Sequence, residues 1–232
     1  MIDETPQAAL AAANRILAHE NVLDAFGHVS VRHPEKPDHF YLSRSLAPEL
    51  VKDDDIVEFD LTSQPVGACD VPLYSERVIH GAIYRARPDV NAICHHHAAA
   101  VLPFCLAHDL RLRVVTQLGA TMGSDIPMWD QRDKFGATNH LVTRAEEAAS
   151  LAGCLGSHSM VMMKRHGATV VGKDLRELAF RSIYSCRDAE LQLRALAHGP
   201  IDVFTPDEIA LAGKFPEATL SRAWALWRSR LG

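Results

Sequence analysis

Residues 90–97 read Val-Asn-Ala-Ile-Cys-His-His-His, a short and mostly apolar run that ends in three consecutive histidines. Its length and composition predict a buried strand over 90–94 that delivers His95, His96 and His97 at its C-terminal end. Alternate side chains of an extended chain face opposite ways, so His95 and His97 share one side and His96 takes the other. Just before this run, residues 75–85 carry Val78, Ile79, Ala82 and Ile83 on one helical face, with Pro88 beyond as a stop. Just after it, residues 98–106 read as helix. Farther along, residues 160–163 form a second buried strand that ends at Lys164-Arg165-His166-Gly167, where Gly167 suits a tight turn, and 169–171 read as its continuation. Thr143 and Glu146 make a capping box for a helix running to 155, and 175–197 is the longest helical pattern in the chain. At the other end, Thr5 caps a helix over 5–19 with Pro6 at its first position. Three short strands, 26–32, 40–42 and 56–59, follow between Pro- and Asp-containing turns and are expected to pair as an antiparallel meander. Strands alternating with helices, with no Gly/Ser linker and no repeat, predict one layered α/β domain.

Composition agrees. The chain has 232 residues, 47% hydrophobic and 23% charged, which excludes a disordered, collagenous or small disulfide-stapled protein. A net charge of −5 provides no cationic field, so neither nucleic acid nor a membrane surface is an expected partner. No apolar stretch reaches the roughly 18 residues of a spanning helix, and the acidic start Met1-Ile2-Asp3-Glu4 lacks the basic region of a signal peptide. A cytoplasmic location is expected. The five cysteines are widely spaced with no C-x-x-C pair, which predicts reduced thiols.

Thirteen histidines are many for this length, and their placement suggests a metal. His95 and His97 offer two imidazoles on one face, His166 a third from the end of another strand, and Glu76 a carboxylate near a helix start. Three histidines leave coordination positions open for substrate oxygens, as a Lewis-acid catalyst requires. Competing motifs are missing from the sequence: it has no H-E-x-x-H, no zinc-deaminase pattern, no phosphate-cradling glycine loop and no G-x-S-x-G elbow.

In chain order stand Phe26-Gly27-His28-Val29-Ser30-Val31-Arg32, Ser75-Glu76-Arg77, His95-His96-His97-Ala98 and Arg165-His166-Gly167. This arrangement resembles the class II aldolase/adducin family over nearly the whole chain. The resemblance implies a three-layer α/β/α fold with a largely antiparallel central sheet, as a single domain over residues 1–232. It also implies a divalent metal on His95, His97 and His166, Glu76 as acid/base beside it, and a homotetramer with active sites at subunit interfaces. The sugar-phosphate aldolases of the family carry Gly-Asn and a Thr/Gly-rich loop for phosphate, where this chain has Gly27-His28 and Ser43-Arg44-Ser45. They also use a tyrosine of the neighbouring subunit as proton donor, and Thr116 falls near that place here. Ser43 to Val51, together with Trp129-Asp130-Gln131-Arg132 and Thr138-Asn139, is similar to the aromatic-acid decarboxylase branch. Members of that branch act on 3-hydroxy-2-methylpyridine-4,5-dicarboxylate, in vitamin B6 breakdown, or on dihydroxyphthalates.

The implied function is a metal-dependent decarboxylase of an ortho-hydroxy aromatic dicarboxylate. Mn2+ is the first choice of ion, with Zn2+, Co2+ and Fe2+ also suited to histidine ligation. Glu76 is expected to move the proton, and His28, Arg44 and Ser75 to contact substrate, with the planar Arg44 guanidinium gripping a carboxylate. The alternatives are a metal-dependent aldolase acting on a non-phosphorylated hydroxy-keto acid, and an adducin-like structural module, against which the retained histidines and Glu76 argue. His96 is expected to face away from the metal, and His80, four residues after Glu76, to bond that carboxylate or simply pack. Trp129 is a candidate for stacking on the substrate, while Trp224, Trp227 and the methionines 160, 162 and 163 are read as packing.

Overall fold

The structure, a computed structural model, describes residues 4–231; of the acidic start Met1-Ile2-Asp3-Glu4, the first three residues lie outside them. Ala92–His96 (β4) sits mid-sheet, between His28–Arg32 (β1) on one side and Gly167–Gly172 (β7) on the other. From β1 the sheet continues through His39–Ser43 (β2) to Ile56–Asp60 (β3), and from β7 through Met160–Met163 (β6) to Met128–Trp129 (β5). Neighbouring strands are antiparallel except β5 with β6, so the sheet is largely antiparallel and β1-β2-β3 is the expected meander.

Strand alternation sorts the core into two layers. Val29, Ala92, Cys94, Met160, Met162, Ala168 and Val170 point to one face. There they meet Pro6–His19 (α1), Leu175–Leu196 (α6), Pro206–Ala212 (α7) and Glu217–Ser229 (α8). Phe40, Leu42, Ile93, Val161, Met163 and Val171 point to the other, under Val78–Ala86 (α2) and Ala145–Leu155 (α5). Fully buried Ile83 of α2 and Leu17 of α1 each contribute about 1.5–3 kcal/mol by leaving water. The result is the three-layer α/β/α arrangement. Thr5 caps α1 through the Ala8 N–H at 3.2 Å, with Pro6 at the first helical position.

Four local expectations change. The helix read over 98–106 is confined to Leu102–Leu106 (α3), because the Ala98 carbonyl accepts the N–H groups of Val101 and Leu102 in a turn, and Pro103 then starts the helix. The start of α5 is secured one residue later than read: Glu147, not the exposed Glu146, accepts the N–H groups of Thr143 and Arg144 at 3.1 and 3.0 Å. Residues 169–171 belong to a separate antiparallel strand, β7, reached by a turn in which Arg165 adopts φ 60°. Gly167 is therefore not the turn residue. It lies in β7, where a Cβ would collide with the His96 carbonyl oxygen, so its missing side chain is what lets β7 approach β4.

Candidate metal centre

β1 and β4 are adjacent, with His28 opposite His95, and both side chains point to the α2 face. Gly27, with φ +87°, turns the chain into β1, and a Cβ there would lie 2.8 Å from the His95 carbonyl oxygen, so glycine is required at this close approach. His97 follows β4 directly, and His166 ends the turn from β6 to β7. Glu76 sits in the short helical turn Ser75–Arg77 that leads into α2.

These four residues meet. One ligand atom from each of Glu76, His95, His97 and His166 can be chosen so that all lie within 4.8 Å of one another. Oε1 of Glu76 stands 3.6 Å from His166 Nε2, and Oε2 stands 3.7 Å from His95 Nε2. The Nε2 atoms of His97 and His166 are 3.1 Å apart.

Hydrogen bonds on the far ring atoms decide which nitrogens are bare. His166 Nδ1 donates to the His140 carbonyl at 2.7 Å, so its Nε2 carries a lone pair toward the cluster. Thr169 donates its hydroxyl to Met163 Sδ and accepts from His95 Nδ1 at 3.2 Å, so His95 Nε2 is bare as well. That nitrogen is buried with no hydrogen-bond partner among the described residues. A buried acceptor left alone costs about 1–3 kcal/mol, and a cation is the partner that several converging lone pairs share. Three nitrogens and one carboxylate therefore fit a first-row divalent metal.

The charge states agree. Burial pushes the His95 imidazole well below its ordinary pKa, with further lowering from His166 and His28, and burial followed by His166 lowers that of His97. Neutral imidazole is the ligating form. Burial alone would raise the Glu76 carboxyl. The Val142 N–H, which donates to Oε1 at 2.8 Å, opposes burial and favours the ionised form.

Glu76 and His97 open onto a cavity of about 720 Å³ that is also lined by His28, Ser75, Tyr74 and Ser45. His28 and Ser75, which were expected to contact substrate, thus lie on the cavity wall. Arg44 does not: its Nε bonds Asp55 at 2.7 Å, and among the described residues the lining includes no arginine or lysine. Trp129 is buried under α5 with its indole N–H on Ser150 at 3.1 Å, away from the lining, and Thr116 donates to Asp188 at 2.5 Å. His96 faces the opposite core, as expected, its Nδ1 accepting from the Ala98 N–H at 3.3 Å.

His80 makes a connection that the sequence reading did not contain. It bonds neither Glu76 nor packs silently; its Nε2 meets His28 Nδ1 at 2.6 Å, and its Nδ1 meets Ser30 Oγ at 2.6 Å. The signal was available, since His28 and Ser30 alternate onto one strand face while His80 and Tyr84 lie four apart on a helix.

The family model for the Class II Aldolase and Adducin N-terminal domain matches residues 8–193. Decarboxylase tropJ of Talaromyces stipitatus is 32% identical, over 91% of this chain and 88% of that protein. A 3,4-dihydroxyphthalate decarboxylase of Arthrobacter keyseri is 27% identical, over 94% of each. Among solved structures, an L-fuculose 1-phosphate aldolase from Glaciozyma antarctica superposes with a TM-score of 0.80 at 24% identity, over 97% of this chain and 88% of that one, a likeness of fold. With the family pattern running through four fifths of its length and a decarboxylase relative aligned over nearly all of it, the chain belongs to the class II aldolase and adducin family.

Proposed function

We propose that the protein is a carbon–carbon lyase that removes CO2 from an ortho-hydroxy aromatic dicarboxylate, with a divalent ion held by His95, His97 and His166. The observation that carries this reading is the convergence of three imidazoles and an ionised carboxylate beside an open cavity. Two relatives named as decarboxylases support it, one of them for 3,4-dihydroxyphthalate. The proposed substrates are a dihydroxyphthalate or 3-hydroxy-2-methylpyridine-4,5-dicarboxylate, which would place the enzyme in aromatic catabolism or vitamin B6 degradation. Mn2+ is the proposed ion, and the same ligands suit Zn2+, Co2+ and Fe2+. A cytoplasmic homotetramer with sites at subunit interfaces belongs to the same proposal.

When bound, the ion supplies a Lewis acid that lowers the cost of negative charge on a ring oxygen. The chain's own residues do the rest. Glu76, ionised and oriented by the Val142 N–H, takes the proton of the ring hydroxyl and returns it to the ring carbon bearing the departing carboxylate. As that carbon gains the proton, its bond to the carboxylate breaks, the electron pair stays in the ring, and CO2 leaves with the product as a phenolate. Proton and charge balance without a further reactant. Ser75 and His28 offer polar contacts to the substrate from the cavity wall.

A second reading, a metal-dependent aldolase of a non-phosphorylated hydroxy-keto acid, is favoured by the fold shared with an L-fuculose 1-phosphate aldolase. Among the described residues the lining has no lysine or arginine to meet a phosphate. Product analysis separates the two: CO2 from an aromatic diacid, or two carbonyl-containing fragments from an aliphatic acid. A panel of ortho-hydroxy aromatic dicarboxylates incubated with Mn2+ should release CO2. Release of none, with cleavage of a hydroxy-keto acid, would replace the first reading by the second.

A further inference from the structure

Behind the cavity wall a buried chain of polar groups runs from His28 into the core. His28 Nδ1 lies 2.6 Å from His80 Nε2, His80 Nδ1 lies 2.6 Å from Ser30 Oγ, and Ser30 Oγ lies 2.8 Å from the Tyr84 hydroxyl. His80, Ser30 and Tyr84 are at most 1% exposed, whereas the His28 ring borders the cavity. The Arg32 guanidinium covers the Tyr84 ring at 4.7 Å and bonds the Tyr84 carbonyl at 2.9 Å, closing the inner end. A charged ring would bring a fifth proton to the three hydrogen bonds and strand one on a buried hydroxyl with no partner, so both rings are neutral and each carries one proton.

The protons can then be counted. Two hydroxyls and two neutral rings bring four protons to three hydrogen bonds, so one proton is left over. If it were left on Tyr84 or on Ser30, it would have no protein acceptor, because these buried hydroxyls have no other partner among the described residues. Only one arrangement avoids this. Tyr84 donates to Ser30, Ser30 donates to His80 Nδ1, His80 Nε2 donates to His28 Nδ1, and the spare proton sits on His28 Nε2, at the end of the chain that meets the cavity.

We infer that Tyr84, Ser30 and His80 are positioning residues that lock His28 in the Nε2–H tautomer, making it a fixed neutral hydrogen-bond donor to a substrate oxygen. A ring so locked cannot serve as a base, and it cannot join the neighbouring imidazoles as another metal ligand, although its centroid is only 5.2 Å from that of His95. The role as donor to substrate rests on the decarboxylase reading; the tautomer does not.

Neutron diffraction from crystals of the zinc-loaded protein reads the tautomer directly. A deuteron on His28 Nε2 and another on His80 Nε2 is the expected result, and a bare His28 Nε2 would overturn the inference. Binding of 2-hydroxybenzoate to the zinc-loaded protein, followed by calorimetry, reads the consequence. His80→Phe removes the donor to His28 and should raise the dissociation constant roughly tenfold, whereas His80→Gln, whose amide can donate in its place, should return it to within about threefold of the original. A merely structural role predicts that Gln behaves as Phe does, and that result would remove His80 from the assignment. If no aromatic diacid released CO2 while the deuteron stood on His28 Nε2, the decarboxylase reading would fail and the tautomer lock would stand.

Discussion

Each residue of the cluster makes a separable contribution. His166 points a bare Nε2 at the centre because the His140 carbonyl takes the proton on its other nitrogen. Replacing it by Ala removes a ligand outright, and metal affinity should fall by about 100-fold or more, read as metal content after dialysis; full occupancy would contradict the assignment. Glu76→Gln keeps the shape but removes the proton carrier, and kcat for CO2 release should fall by roughly 10²–10⁴ with the fold intact. An unchanged kcat would leave Glu76 without that role. The ligands were legible because H-x-H at the end of a buried strand places two imidazoles on one side, whatever the rest of the fold does. The His28–His80 contact was not read, because it depends on which helix lies over β1. Nor was the pairing of Arg44 Nε with Asp55, which accompanies the absence of Arg44 from the cavity lining among the described residues.

Elements bring these residues together, and two of them make testable demands. The approach of β7 to β4 depends on Gly167, where a Cβ would press on the His96 carbonyl. Gly167→Ala should cost about 1–3 kcal/mol, seen as a lower melting temperature, and should weaken metal binding, since His166 and His97 flank the contact. The start of α5 depends on Glu147, which accepts the N–H groups of Thr143 and Arg144, the amide of Gln131 and the Arg144 guanidinium. Burial opposes its ionisation, but Arg144 and the backbone donors prevail and hold the carboxyl below its ordinary pKa. With the folded value depressed, the stabilisation is present above the ordinary carboxylate range and is lost as pH falls through the lower, folded value. Glu147→Gln should therefore lower stability by about 1–3 kcal/mol at neutral pH, and the difference from the parent should shrink on acidification. A difference that does not change with pH would contradict this. The sequence reading placed this cap one residue early because Thr143-x-x-Glu146 satisfies the pattern, while burial, which the pattern does not contain, selects Glu147. It passed over α7, although Thr205-Pro206 with Glu208 is the same start signal as Thr5-Pro6.

For the molecule as a whole, the order of strands and helices predicted one layered α/β domain and the family resemblance its three layers, and the structure sets Ile93 and His95 on one face of β4 and Ala92, Cys94 and His96 on the other. The sheet order was less legible, because the pairing of β4 with β1 joins residues more than sixty apart through packing that no local pattern encodes. That long-range pairing brings a cavity, a carboxylate and three imidazoles to one place, and the account depends on an ion held there. The most direct test is to strip the purified protein with a chelator, add Mn2+ back in steps, and follow bound metal and CO2 release from a dihydroxyphthalate in the same samples. The account predicts no release from the stripped protein and activity rising in proportion to bound metal, up to one ion per chain. Undiminished CO2 release from the metal-free protein would contradict it.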